Sequence, residues 1–371
     1  MNHPLPTGYL SCVLDDGLQQ ARTDDRTDLD GAGAIGYYVH HHGAGHVARY
    51  RKIVEASGDR FVPISELTLP GGLRLPPDVV SHGTDESADG ALHWAPVGDH
   101  GSARRSRIFG DWLDDARPRG VVIDVSVEAA LLCRLFGVAT VVVRQHGVRT
   151  DGPHLMAYRS ARRLLAPFPS ELEHRDTPAW VTRKTEYAGF IGGGPHGPTT
   201  PPPAPSSNPG PDDVVVLWGT GGGQLSPDDA AGIVRAAGPG RVWFAGREGS
   251  RFASLGIVDC GWVADVASLL RSSPTVVASA GNNVVADAAF ARCALVVVPQ
   301  QRPFDEQVRH AESLDTAHAA AVVTVDGDTD WGRAIDVARH RRGTLAQMAG
   351  SGGAASAAGV IRESFAHVAS R

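Results

Sequence analysis

Residues 275–307 read TVVASAGNNVVADAAFARCALVVVPQQRPFDEQ. Thr275 to Ala278 is a short β-branched run that predicts a buried strand, and Gly281 marks its end. Asn283 to Ala291 then fits a helix, Ala294 to Val298 a second strand, and Asp305 to Ser313 a further helix. The same alternation runs outward in both directions. Strands are expected at Val214 to Trp218, Arg241 to Ala245 and Ala321 to Val323, and helices at Pro227 to Ala237 and Val263 to Leu270. Before residue 192 the pattern repeats, with strands at Ile35 to His40, Phe61 to Ile64, Val121 to Asp124 and Thr140 to Arg144. Helices fit at Val47 to Ala56, Ser106 to Asp115 and Glu128 to Phe136. Two halves that alternate strand and helix imply two doubly wound parallel sheets, each with its ligand edge at the carboxyl ends of its strands. A cleft between them is the expected site.

Two stretches fall outside this pattern. Residues 1–33 are polar and offer no periodic apolar face, which predicts a loose tail. Residues 192–213, rich in Pro and Gly, predict an extended linker. The expected organisation is therefore a tail at 1–33, a first domain at 34–191, a linker at 192–213 and a second domain at 214–371.

Composition limits the function. With 42% hydrophobic and 20% charged residues in 371, the chain has the balance of a globular protein with more than one core. Lys and Arg number 35 against 41 acids, a net charge of -6, so no basic field is available to grip a nucleic acid. Cys12, Cys133, Cys260 and Cys293 lie far apart, which indicates neither a disulfide framework nor a zinc site and suits a reducing cytoplasm. The first twenty residues lack the charge and apolar pattern of a signal peptide. The longest apolar neighbourhood, Ala129 to Val143, is interrupted by Arg134 and Gly137 and is too short to span a bilayer.

Three constellations could carry chemistry. The first strand runs into His40-His41-His42-Gly43-Ala44-Gly45-His46, where glycines permit a tight turn before a helix. His46 at that helix start is a candidate general base, with the helix dipole favouring its neutral form. A plain cap and a metal-binding histidine run are the alternatives. The second half opens likewise, Val214 to Trp218 leading into Gly219-Thr220-Gly221-Gly222-Gly223. Ser226 and Pro227 then supply a good cap and first turn, so the amides there could face a phosphate. The third is the opening stretch itself, where Gly281, Asn282 and Asn283 precede Asp287, a carboxylate that could accept from a vicinal diol. An ordinary solvated carboxylate is the alternative for Asp287, and a helix cap for Asp305 to Gln307.

The order of these motifs resembles that of the GT-B glycosyltransferases, most closely glycosyltransferase family 28, whose members include the enzyme that adds N-acetylglucosamine to the lipid-linked peptidoglycan precursor. The resemblance spans Ile35 to about Ser313 and sharpens from Gly261 to Gln307. It implies an α/β GT-B-type fold, two doubly wound Rossmann-like domains facing across a cleft. The glycine turn and histidine of the family fall on Gly43, Gly45 and His46, and its second glycine loop on Gly219, Thr220, Gly221, Gly222 and Gly223. Its nucleobase segment falls on Gly261-Trp262-Val263-Ala264-Asp265-Val266, where the backbone of Val263 would read the base edge. Its donor signature falls at Gly281, Val284 and Asp287, where Val284 and Asp287 replace the Thr and Glu of the family. Asp287 can still hold ribose hydroxyls, whereas Val284 supplies no hydroxyl to a phosphate. The Asp-x-Gln pair that contacts the transferred sugar is matched by Asp305 and Gln307.

The implied reaction is sugar transfer from a nucleotide-diphosphate donor, UDP-sugar favoured, to an unidentified hydroxyl acceptor, inverting and without metal or cofactor. Asp124 and Glu128 stand behind His46 as candidate bases, and a helix cap is the alternative for Asp124. A nucleotide-sugar hydrolase of the pseudaminic-acid-pathway type, with Arg49 near the same turn, is an alternative, as is a retired GT-B binding subunit. Expected partners are a nucleotide sugar and a small-molecule, glycan or lipid-linked acceptor, with no nucleic acid. Arg104, Arg105 and Arg107 precede a stripe of Ile108, Phe109, Trp112 and Leu113 that could rest on an anionic membrane, giving an expected location in the cytoplasm or at the inner membrane face.

Overall fold

A computed structural model describes residues 33–41, 44–77, 85–192, 208–219, 223–263, 265–272, 275–324, 329–350 and 352–366. The expected tail at 1–32 and most of the expected linker lie outside them. In chain order the first half forms β1 (Ile35–Val39), α1 (Ala44–Ala56), β2 (Phe61–Ser65), β3 (Leu73–Arg74), α2 (His100–Ala116), β4 (Gly120–Asp124) and α3 (Val127–Leu135). It continues with β5 (Thr140–Val143), α4 (Gly152–Ser160), β6 (Arg163–Ala166), α5 (Ala179–Lys184) and β7 (Thr185–Tyr187). The second half forms β8 (Val214–Leu217), α6 (Pro227–Ala237), β9 (Val242–Ala245), β10 (Val258–Gly261), α7 (Val266–Leu270) and β11 (Thr275–Ala278). Then follow α8 (Asn282–Phe290), β12 (Ala294–Val297), α9 (Glu306–Thr316), β13 (Ala321–Val322), α10 (Trp331–Met348) and α11 (Gly353–Phe365).

All the strands pair in parallel, in two sheets of order β3-β2-β1-β4-β5-β6-β7 and β10-β9-β8-β11-β12-β13. This is the α/β, doubly wound architecture expected from the sequence. Its strands are the β-branched runs because helices cover both sheet faces; β4 (GVVID) and β11 (TVVA) are buried along their whole length. In each sheet the strand order reverses once, between β1 and β4 and between β8 and β11. Loops leaving the strand ends on either side of such a reversal diverge and open a crevice. Val39 pairs with Asp124 at one reversal, and Leu217 with Ala278 at the other.

The two halves are not packed collinearly. Helix α11 returns to the first sheet, where Ala357, Ala358, Ile361 and Phe365 share a core with Ile35, Tyr37 and Val141. Gly120 is required there, because a Cβ would run into the Phe365 ring. The expected boundary of 214–371 for a second domain therefore includes a helix that belongs to the first core. Conversely, Phe168, Leu172 and Phe190 join the core of the second half. The stripe expected to meet a membrane is also in a core: Phe109, Trp112 and Leu113 of α2 are buried, and Arg105 donates to Tyr38 Oη and the Pro76 carbonyl. Among the described residues no helix is long and apolar enough to cross a membrane.

Candidate active site

A cavity of about 370 Å³ lies where the two reversal points meet, lined by residues from both halves. Its front wall is the first turn of α1, which contributes Gly45, His46 and Arg49. Asp124, at the end of β4, is 0% exposed beneath them. Arg49 donates to both of its oxygens, Nε to Oδ2 and Nη2 to Oδ1, each at 2.9 Å. His46 Nδ1 lies 3.0 Å from the same Oδ1. Burial alone would raise the Asp124 carboxyl, but the Arg49 charge and the hydrogen bonds from Arg49 and His46 outweigh it and hold the group well below the usual carboxylate range. The same Nδ1 lies 3.2 Å from Arg49 Nη2, so the Arg49–Asp124 pair holds the ring through Nδ1; with the Nδ1 proton turned to the carboxylate, Nε2 is the nitrogen that can accept from a substrate. Asp124 thus has both oxygens engaged and does not itself line the cavity. It does not cap α3 either: Ser126 does, accepting from the Ala129 amide at 3.2 Å. The turn between them forces Val125 to φ 66°, a costly conformation for a β-branched residue.

The rear wall is the start of α8. Gly281 is its N-cap residue and has no side chain to accept from the first-turn amides, and Gly281, Asn282, Asn283 and Val284 all line the cavity. Exposed amides at a positive helix end form an anion site. Asp287, 1% exposed, lines the cavity within the same helix. The starts of α1 and α8 approach so closely that a Cβ on Gly45 would lie 2.6 Å from Asn283 Nδ2. To one side, Trp262 and Val263 line the cavity with Trp218, Gly219, Ala245 and Gly246. Asp265 caps α7 by accepting from the Ser268 amide at 3.0 Å, which leaves Trp262 and Val263 ahead of the helix instead of inside it. Trp262 is 37% exposed, with the Arg247 guanidinium 5.9 Å from its ring centre.

Several expected residues fall elsewhere. Gly43, Thr220, Gly221 and Gly222 lie outside the described residues. Gly223 accepts from Trp218 Nε1 at 2.8 Å and lines a neighbouring pocket, not this cavity. The start of α6 is also absent from it, because Ser226 is already engaged: it accepts from the Asp229 amide at 3.1 Å and donates to the Asp229 carboxylate. Glu128 fixes a loop, accepting from the amides of His93 at 2.8 Å and Trp94 at 3.0 Å. Asp305 is exposed and off the cavity, since Phe304 and Asp305 both turn left-handed (φ 60° and 52°) before α9 begins. Its neighbours Glu306 and Gln307 line the cavity instead, and Gln307 Oε1 accepts from the Gln300 amide at 3.0 Å.

Gln145, Arg302 and Glu306 also line the cavity and were not singled out in the sequence. Only their place just past strand ends or at a helix start could have marked them. Glu306 pairs with Arg149 at 3.1 Å and so ties the two halves together.

Among the described residues, His93, Asp151 and His154 alone converge closely enough to hold a metal ion. Their hydrogen bonds argue against that role. Arg149 Nη1 lies 3.0 Å from His154 Nε2, and a guanidinium can only donate. His154 therefore keeps its proton on Nδ1, 2.6 Å from Asp151, where a metal would need a lone pair. Burial, then Arg149, lowers His154 to about 4, consistent with a neutral ring.

No protein-family model matches the chain, and no curated protein matches it in sequence. Solved structures do match. The glycotransferase of kitacinnamycin is 17% identical, with 90% of this chain and 99% of that one covered, at TM-score 0.63. MurG of Acinetobacter baumannii is 12% identical, with 89% and 99% covered, at TM-score 0.62. The spinosyn rhamnosyltransferase SpnG complexed with thymidine diphosphate is 16% identical, with 89% and 100% covered, at TM-score 0.60. The chain therefore has the GT-B glycosyltransferase fold that its motifs resemble.

Proposed function

We propose that this protein is a glycosyltransferase that moves a sugar from a nucleoside-diphosphate donor to a hydroxyl acceptor with inversion at the anomeric carbon. One observation carries the reading: an imidazole oriented by a buried carboxylate faces an uncapped helix start across one cavity. In this scheme α8 amides and the α1 helix end receive the diphosphate, Asp287 accepts from the ribose hydroxyls, and Trp262 and Val263 hold the base. His46 Nε2 takes the acceptor proton as the acceptor oxygen bonds to the anomeric carbon. The bond from that carbon to the diphosphate oxygen breaks on the opposite face, and its electrons go to the leaving diphosphate. The attack is a single in-line displacement, so the configuration inverts, and the charge on the leaving group falls on helix amides without calling for a metal. A UDP-sugar is the favoured donor, by resemblance to family 28. The fold shared with transferases, one of them complexed with thymidine diphosphate, supports transfer from a nucleoside-diphosphate donor in general.

Incubation with a panel of nucleotide sugars tests it. Nucleotide release that depends on an added alcohol, with a product of opposite anomeric configuration by NMR, is expected. Release without any acceptor would favour the hydrolase, and binding without turnover the retired subunit.

A further inference from the structure

A second cavity, of about 210 Å³, lies in the first half beside the cleft. We infer that it is the acceptor subsite, that it takes a neutral, planar aromatic alcohol, and that Phe304, reaching over from the second half, is its specificity-determining face. The inference rests on the transferase reading above.

Position comes first. Gln145 lines both cavities, and His40, in the wall of the second, has its ring centre 5.5 Å from that of His46. An alcohol seated there would have its hydroxyl next to the base. Charge comes second. Arg149, the one arginine of this wall, is paired with Glu306 and bonded to Gln145 and His154, and Glu128 accepts the two amides on Oε1 and Ser126 Oγ at 3.4 Å on Oε2, so an anionic ligand finds no unpaired cation there. Shape comes third. Tyr38, Trp94, Tyr158 and Phe304 present rings to the cavity, which is smaller than the roughly 300–1,000 Å³ usual for drug-sized ligands. A ligand of one or two fused rings fits that space.

Phe304 is held in place by the first half. Its carbonyl accepts from the Val148 amide at 2.6 Å, and its ring stands edge-on to His154 at 4.7 Å and tilted to His93 at 5.2 Å. At φ 60° its backbone is unfavourable; the Arg149 guanidinium lies 5.1 Å from its ring centre, and the residue, 38% exposed overall, still lines the cavity. A large side chain fixed this way is a wall, not a filler.

The test is calorimetric binding of 2-naphthol and its saturated counterpart decahydro-2-naphthol to the full chain and to Phe304→Ala and Phe304→Tyr, with UDP titrated in parallel. The expected result is 2-naphthol binding about tenfold tighter than the saturated alcohol, a roughly tenfold loss in Phe304→Ala, and retention within about twofold in Phe304→Tyr. UDP affinity should be unchanged in both variants. Equal affinity for the two alcohols, no loss in Phe304→Ala, or a parallel loss of UDP binding would overturn the inference. Failure of the transferase reading looks different: UDP would not bind at all while 2-naphthol still did.

Discussion

The two walls of the cleft are built from opposite materials. The front wall is ionic side chains: Arg49, Asp124 and His46 locked together, with Asp124 fully buried. The rear wall is backbone: a glycine N-cap, asparagines and the open amides of α8, with Asp287 the only carboxylate of that helix. The contrast teaches a division of labour. A proton has to be moved by a side chain held in one tautomer, whereas a diphosphate needs many weak donors that do not have to move. Damage to the front should therefore remove chemistry or stability, and damage to the rear should remove affinity.

The largest effect is expected from Asp124→Ala, which leaves the Arg49 charge buried without its partner. Breaking such a pair costs about 3–5 kcal/mol, so the melting temperature should drop markedly in a thermal scan. Next, His46→Ala should lower turnover about 10²-fold while leaving the donor affinity intact, checked by steady-state kinetics. An intermediate effect comes from the buried stack of His146 on His310, whose ring centres lie 3.9 Å apart between the halves. Burial lowers His310 to about 4 and, with His310 and Arg144, lowers His146 well below its ordinary value. Both rings stay neutral in the folded chain while the unfolded chain takes up protons below about pH 6.5. Stability is therefore complete above that pH and falls between about 6.5 and 4, by up to about 1.4 kcal/mol per pH unit for each ring. His310→Phe, which keeps the stack, should flatten the slope in thermal scans between pH 7 and 5. The smallest change is Ser226→Ala, which removes the α6 cap at about 1 kcal/mol of stability and should leave nucleotide affinity untouched by titration.

That last variant also shows where the sequence misleads. Ser226-Pro227 is the better helix-start signal, and it correctly placed α6 at Pro227–Ala237. A good cap, however, occupies the amides it satisfies. The start proposed to bind the diphosphate is the poorly capped one at Gly281, since an anion site needs unsatisfied donors. The strands were legible because burial on both faces forces continuous β-branched runs such as Val121 to Ile123 and Val214 to Val216. Helix α11 was not, because the face that GAASAAGVIRESF buries is mostly small residues, Gly353, Ala357, Ala358 and Ser364, beside Ile361 and Phe365. Asp124 stood out as a polar residue at a strand end, His46 as one at the start of the helix that follows a glycine turn, and Asp287 as a helix carboxylate at the position of the family's donor signature. The pairing of Arg49 with Asp124, 75 residues apart, is a consequence of β1 lying beside β4 and has no local signature. Glu306 was read only as part of a helix cap, because the left-handed turn at Phe304 and Asp305 shifts the helix start by one residue and exchanges which carboxylate meets the cavity.

The most direct test is calorimetric titration of UDP into the wild-type chain, His46→Ala and Asp287→Ala. The account predicts equal binding by the first two and a loss of about tenfold or more in Asp287→Ala, from a buried carboxylate no longer accepting two hydroxyls. Weakened binding in His46→Ala together with unchanged binding in Asp287→Ala would contradict it.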